Sequence, residues 1–136
     1  MATLEGKWKY RSYCPVPFSA MASPAAPVFA LWSTDEGQVT IDAAETGGTL
    51  VFPRVTLGLK IQVTPGAVKK VSISASAISP QGFVFTNELE GWEVPADPSN
   101  PASGEVVIRG AIVQTSKLPD PAAPPIFTTG FFVLQR

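Results

Sequence analysis

Proline and glycine are spread along the whole chain, and they limit the length of any secondary-structure element that it can form. Fourteen prolines and eleven glycines occur in 136 residues. They separate short runs rich in Val, Ile, Thr, Phe and Ser, and no segment combines a 3.6-residue period with caps at both ends. Short runs of this kind between turn signals are typical of an all-β sandwich or barrel. The length is that of one domain, so we expect a single β domain over residues 1–136.

Nine runs have the composition of β-strands. The alternation of apolar and polar residues is clearest in the fifth run, where Leu57, Leu59, Ile61 and Val63 share one face. This pattern predicts a sheet with one buried face. The predicted strands are residues 6–13, 28–33, 39–42, 49–52, 57–64, 71–79, 83–92, 105–115 and 126–135.

Three proline-rich segments are predicted to be loops, at residues 14–27, 95–103 and 117–125. Proline cannot donate a hydrogen bond to a β-ladder, so these stretches leave the sheet. In the first loop Phe18 and Met21 are the large apolar residues among small ones. We expect this loop to act as a lid whose Phe18 dips into a cavity. The alternative is that Phe18 packs against the rim of the barrel.

The chemical inventory excludes several classes of site. The chain has no histidine and one cysteine, so it offers no Ser-His-Asp triad, no histidine or cysteine-rich metal site and no internal disulfide. The net charge is −1 and charged residues make up 15% of the chain, which argues against nucleic-acid binding. There is no phosphate-binding glycine motif, no signal-peptide pattern and no apolar run near the ~20 residues that span a membrane. We expect a cytoplasmic protein without metal or cofactor.

The two ends of the chain carry the most specific motif. Residues 4–8 read Leu-x-Gly-x-Trp, and the last predicted strand finishes on Arg136. These features resemble the calycin superfamily, which includes lipocalins, fatty-acid-binding proteins, avidins and small bacterial protease inhibitors. The resemblance implies that Trp8 plugs one end of a barrel, that Gly6 permits a close backbone approach, and that Arg136 lies over the indole. We therefore expect one antiparallel barrel of about eight strands, with a β-sandwich outside this superfamily as the alternative.

Aromatic side chains are the main candidates for a ligand-binding wall. Such walls with a few polar groups form typical small-molecule sites, although each residue could equally be plain core. Arg109 lies mid-strand, where it could bind a carboxylate inside the barrel or point outwards to a glutamate. The candidate ligand-binding residues are Tyr10, Phe18, Phe29, Trp32, Phe83, Phe85 and Arg109.

Two carboxylates are the candidates for catalysis. Glu88 and Glu90 share a strand face with Trp92, and a carboxylate beside an indole in an apolar site could act as a general acid or base. The alternative is that both lie on a solvent-facing surface.

These observations favour a binding module, a small intracellular barrel that holds an apolar or aromatic small molecule in its interior. One alternative is a cofactor-independent enzyme of the isomerase or cyclase type, which needs mainly shape and one or two polar groups. Another is a protein-interaction module such as a protease inhibitor. Strands 106–113 and 131–134 carry apolar residues on both faces, so we also expect a homodimer.

Overall fold

The computed structural model describes residues 3–16, 28–31, 36–53, 55–78, 82, 84–116 and 126–136. Within these ranges the one helical segment is a 3₁₀ turn at Pro101–Ser103. The strands are β1 Gly6–Val16, β2 Val28–Leu31, β3 Gly37–Ile41, β4 Gly47–Val51, β5 Thr56–Thr64, β6 Lys70–Ile78, β7 Val84–Pro95, β8 Val106–Gln114 and β9 Thr129–Gln135.

Eight of the nine strands form one closed antiparallel barrel. β1 pairs with β3, and each later strand pairs with its successor as far as β9. β9 then pairs with β1, with Leu134 opposite Tyr10, and this pairing closes the sheet. The short β2 lies outside the ring and pairs with residues 13–16 of β1. The predicted all-β barrel of about eight strands is confirmed, and the fold is not the alternative sandwich.

Three strand boundaries differ from the predicted ones by three residues. β1 continues to Val16 because its last residues pair with β2, and they lie beyond the pairing with β9, at an edge where Pro15 is tolerated. β7 continues to Pro95 because its ladder with β8 persists there. β9 begins at Thr129 rather than at residue 126, after Phe127 adopts a left-handed φ of 68°.

The predicted lid and the third predicted loop fall largely outside the described residues. Residues 14–16 belong to β1 instead of to a loop. Residues 17–27, which include Phe18, and residues 117–125 are among those not described. The lid therefore stays a prediction.

The barrel interior follows the alternation of the strands. In β5, Leu57, Leu59 and Ile61 are buried while the intervening residues are exposed. Val63 and Ala77, near the ends of β5 and β6, are half-buried against the same core. The remaining core residues are Leu4, Trp8, Tyr10, Val39, Ile41, Leu50, Val71, Ile73, Ala75, Leu89, Ile108, Ile112, Phe132 and Leu134.

One end of the barrel is closed by Trp8, which is 1% exposed. Its indole Nε1 donates a hydrogen bond to the carbonyl oxygen of Leu4 at 2.9 Å. The guanidinium carbon of Arg136 lies 4.2 Å from the centroid of the Trp8 ring. Arg136 also donates to the carbonyl oxygens of Glu5 (3.1 Å) and Thr3 (2.6 Å), so it joins the two ends of the chain. A cation over an indole that keeps access to water is a favourable arrangement.

Gly6 has a backbone conformation that favours glycine. Its φ of 118° is one that residues with a Cβ rarely adopt, and a Cβ there would lie 3.5 Å from Arg136 Nη1. The residues predicted to form the barrel plug, Gly6, Trp8 and Arg136, therefore lie together at this end, which we call the closed end.

Two glycines on neighbouring strands make room for a large side chain in the interior. Gly91 and Gly110 are opposite each other in the β7–β8 ladder, and Phe132 is opposite Gly110 in the next one. A Cβ on Gly91 would lie 2.8 Å from Phe132 Cζ. A Cβ on Gly110 would overlap the carbonyl oxygen of Glu90 and the Cα of Gly91. The fully buried Phe132 ring thus occupies space that Gly91 leaves, and Gly110 allows the backbones of β7 and β8 to approach each other closely.

We expect Gly110→Ala to destabilise the barrel by about 3 kcal/mol or more, because the added methyl group meets backbone atoms that cannot rotate away. Gly58→Ala is the matched control in β5. A Cβ there would meet nothing nearer than 3.9 Å, so its stability should stay within about 1 kcal/mol of wild type. Urea unfolding monitored by circular dichroism measures both. Equal stability of the two variants would contradict the close approach of β7 and β8.

Candidate functional site at the mouth of the barrel

The inward side chains at the two ends of the barrel differ in polarity. At the closed end the inward side chains are apolar and buried, such as Leu4 and Ile41. At the opposite end, which we call the mouth, the inward side chains include half-buried aromatic residues and polar ones. The mouth consists of Tyr10, Ser12, Phe52, Ala77, Phe85, Asn87 and Gln114.

The floor of the mouth is a group of three aromatic rings. The rings of Tyr10 and Phe52 meet edge to face, with centroids 5.8 Å apart and an interplanar angle of 81°. On its other side Tyr10 stacks on Phe132 at 6.4 Å and 23°. Such pairs fix ring orientation as well as burying apolar area. Tyr10 is thereby held between the fully buried core and the half-buried Phe52.

A hydrogen-bond network joins the ends of β7 and β8 at the mouth. Thr86 N donates to Ser116 Oγ (2.8 Å), and the hydroxyl oxygens of Thr86 and Thr115 are 2.6 Å apart. The buried Gln114 donates from Nε2 to the carbonyl oxygen of Ser116 at 2.9 Å. These bonds hold the strand ends in register and engage the amide nitrogen of Gln114.

Asn87 differs from these neighbours because its side-chain oxygen has no partner. Oδ1 is fully buried, yet no hydrogen bond from the described part of the chain reaches it. In the two adjacent ladders Asn87 is opposite Ala75 and Gln114. Ala75 has no donor, and the Gln114 amide is directed to Ser116. An unsatisfied buried acceptor typically costs about 1–3 kcal/mol.

Tyr10 provides an uncharged hydroxyl in the interior. Burial raises its pKa from 10.0 to about 12, and a hydrogen bond with the Ser12 side chain opposes that shift in part. The phenol therefore stays protonated at neutral pH and cannot act as a base there. It belongs to the polar but uncharged groups of the mouth.

The two candidate catalytic carboxylates lie on the outer wall. Glu88 Oε2 accepts a hydrogen bond from Ser74 Oγ at 2.7 Å. Glu90 forms an ion pair with Lys70, with 2.9 Å between Oε1 and Nζ. Both residues are exposed, because the inward positions of β7 are Asn87, Leu89 and Gly91. This placement corresponds to the solvent-facing alternative.

Arg109 also lies on the outer wall instead of in the interior. It is exposed, and its Nη2 donates to the carbonyl oxygen of Ala96 at 3.1 Å. The inward positions of β8 are Ile108, Gly110 and Ile112. The expectation that Arg109 lies in the interior is not met, because the residues of β8 that point inwards are the even-numbered ones.

The structure describes the side chains of some of the remaining candidate ligand-binding residues but not of others. Tyr10 is buried in the interior and Phe85 is half-buried at the mouth. Phe29 belongs to β2, but the structure does not describe its side chain. Phe18, Trp32 and Phe83 lie entirely outside the described residues.

Sequence reasoning missed the polar residues of the mouth. Asn87 is two positions from Leu89, and Gln114 is two positions from Ile112. Each is a polar residue in the inward phase of its strand, and the two are directly opposite. Extending the alternation of β7 and β8 would have identified both as unusual interior groups.

Two further clefts lie away from the mouth. A cleft of about 620 Å³ at the closed end is bordered by Glu93, Glu105 and Arg136. The guanidinium of Arg136 is already committed to Trp8 and two carbonyl oxygens. A smaller cleft of about 260 Å³ on the outer wall surrounds the Arg11–Glu36 ion pair. Among the described residues the buried side-chain atom without a hydrogen-bond partner, Asn87 Oδ1, lies at the mouth and in neither cleft, so the mouth is the stronger candidate site.

In the described ranges, no group of three His, Cys, Asp or Glu residues could hold a metal ion. No helix of those ranges has the length and apolar character required to cross a membrane.

Comparison with protein-family models, with curated proteins and with solved structures finds no match for this chain. The closed eight-stranded barrel is compatible with a calycin-like fold. Because one fold can host many functions, the function is inferred from the site itself.

Tyr10 should make the stability of the barrel fall at high pH. Its pKa is higher in the folded chain than in the unfolded chain, so this contribution is complete below pH ~10 and is lost as the pH rises towards ~12. Between pH 9 and 11 wild type should lose about 1 kcal/mol more than Tyr10→Phe. Urea unfolding of both proteins at the two pH values measures the difference. Parallel losses would show that the phenol is not buried as described.

Proposed function

We propose that this barrel is a binding module that holds a small, predominantly apolar or aromatic molecule in its mouth. The observation that carries the proposal is the buried, unpartnered Asn87 Oδ1 at the rim of an aromatic floor. Apolar walls with a few convergent polar groups are the usual composition of small-molecule sites.

The chemistry of the mouth supports an aromatic or aliphatic ligand. Phe52, Ala77 and Phe85 point inwards but are only half-buried. A ligand that covers them would remove apolar surface from water, at about 25 cal/mol per Å². An eight-stranded barrel has an interior that can hold one small ligand.

A calycin-like assignment fits this function. The closed sheet, the Trp8 plug and the Arg136 guanidinium over it leave the opposite end as the entrance.

Binding is favoured over catalysis by the position of the carboxylates. Glu88 and Glu90 are engaged with Ser74 and Lys70 on the outer wall. Tyr10 stays protonated at neutral pH because burial raises its pKa to about 12. The groups of the mouth described above can orient a ligand by hydrogen bonds, but none is an evident base or nucleophile.

The proposal is tested with N-phenyl-1-naphthylamine, an uncharged probe whose fluorescence rises in apolar surroundings. We expect saturable binding to wild type. Ala77→Phe should weaken it by about tenfold or more, because the new ring fills the mouth beside Phe85. Fluorescence titration gives both affinities.

Ser76→Phe is the matched control, since Ser76 is the exposed neighbour on the outer face of the same strand. It should bind the probe as wild type does. Circular dichroism establishes that both variants are folded. Equal affinity of wild type, Ala77→Phe and Ser76→Phe would place the probe outside the barrel and contradict the proposal.

A further inference from the structure

We infer that the ligand of the mouth is uncharged and donates a hydrogen bond from an N–H or O–H group to Asn87 Oδ1. This inference rests on the proposed function and specifies the chemical class of the ligand.

An asparagine at this position is costly for folding. Its inward neighbours along β7 are Phe85 and Leu89, which are apolar. Asparagine is depleted in strands, and a leucine of similar volume would leave no acceptor without a donor. Folding alone therefore does not account for this amide, whereas a donor that comes from a ligand does.

No hydrogen bond from the described residues reaches Oδ1. Gln114, the cross-strand neighbour, donates from Nε2 to the carbonyl oxygen of Ser116 instead. Ala75, on the other side, carries no polar side-chain atom. The acceptor capacity of Oδ1 therefore remains for a group that enters the mouth.

The described residues around the acceptor carry no charge. Among the described inward residues of the mouth, the polar ones are Ser12, Tyr10, Asn87 and Gln114, all uncharged side chains. The nearest charged residue along β7, Glu88, is directed to the outer wall. Burying an ionised ligand without a counter-charge costs far more than burying a neutral one. The site thus selects a neutral molecule with a donor, such as a primary amide, an aromatic N–H or an alcohol on an apolar body.

Three isosteric probes test separately whether the ligand needs a hydrogen-bond donor and whether it must be uncharged. Benzamide, acetophenone and benzoate differ only in an amino group, a methyl group and a negative oxygen on the same aromatic carbonyl frame. Titrations followed by ¹H–¹⁵N spectra, with Tyr10 and Asn87 as reporters, give the affinity and the location of each probe. We expect benzamide to bind about tenfold more tightly than either of the others. Hydrophobicity alone would favour acetophenone instead.

Asn87→Leu is the decisive variant. It should abolish the preference for benzamide over acetophenone while the protein unfolds at the same or a higher temperature, because the unpartnered acceptor is gone. Gln62→Leu, at an exposed position of β5, is the matched control and should keep the preference. If Asn87→Leu does not fold, Asn87→Ala removes the acceptor without added bulk.

The outcomes distinguish this inference from the proposed function. Equal affinities for benzamide and acetophenone at the mouth, or tightest binding of benzoate, would overturn the inference and leave the mouth as the site. The inference is also overturned if Asn87→Leu loses stability while the benzamide preference survives. If neither N-phenyl-1-naphthylamine nor benzamide, acetophenone or benzoate shifts the resonances of the mouth residues, the proposed function itself is contradicted.

Discussion

The pairing of β1 with β9 is the constraint on which the rest of the structure depends. Without it the sheet would be open, with two unpaired edges and one apolar face exposed to water. With Tyr10 opposite Leu134, the sheet closes and that face becomes an interior. Arg136 reinforces the closure, because it follows β9 directly and donates to carbonyl oxygens that precede β1. The first and last segments of the chain are thereby fixed to each other at the closed end.

Closure also gives the two ends of the barrel different chemistry. Trp8 fills one end and is satisfied there by the Leu4 carbonyl. Nearer the mouth, the stacked rings of Tyr10 and Phe132 lie in the interior. Asn87 lies at the mouth, and its Oδ1 accepts no hydrogen bond from the described residues. A polar group of this kind is costly in a barrel that serves only to fold. In a barrel that binds a ligand at the mouth, the ligand supplies the donor that this acceptor lacks.

Parts of this architecture could be predicted from the sequence because the signals were local. Alternation in β5 identified Leu57, Leu59 and Ile61 as interior. The resemblance carried by the two ends of the chain implied that Trp8 lies beneath Arg136. The facing of Arg109 could not be derived, because both faces of β8 carry apolar residues and its inward phase depends on pairing with β7. The unpartnered state of Asn87 is likewise a property of three strands together, since it depends on what Ala75 and Gln114 present across the ladders.

The central claim is that small molecules bind inside the barrel at the mouth. Intermolecular nuclear Overhauser effects between N-phenyl-1-naphthylamine and the methyl groups of the protein test it most directly. Ala77 points into the mouth, whereas Val84 and Ala111 point outwards. Binding in the mouth predicts contacts from the probe to the Ala77 methyl group and to the Phe85 ring. Contacts confined to Val84, Ala111 or other outward methyl groups would contradict it.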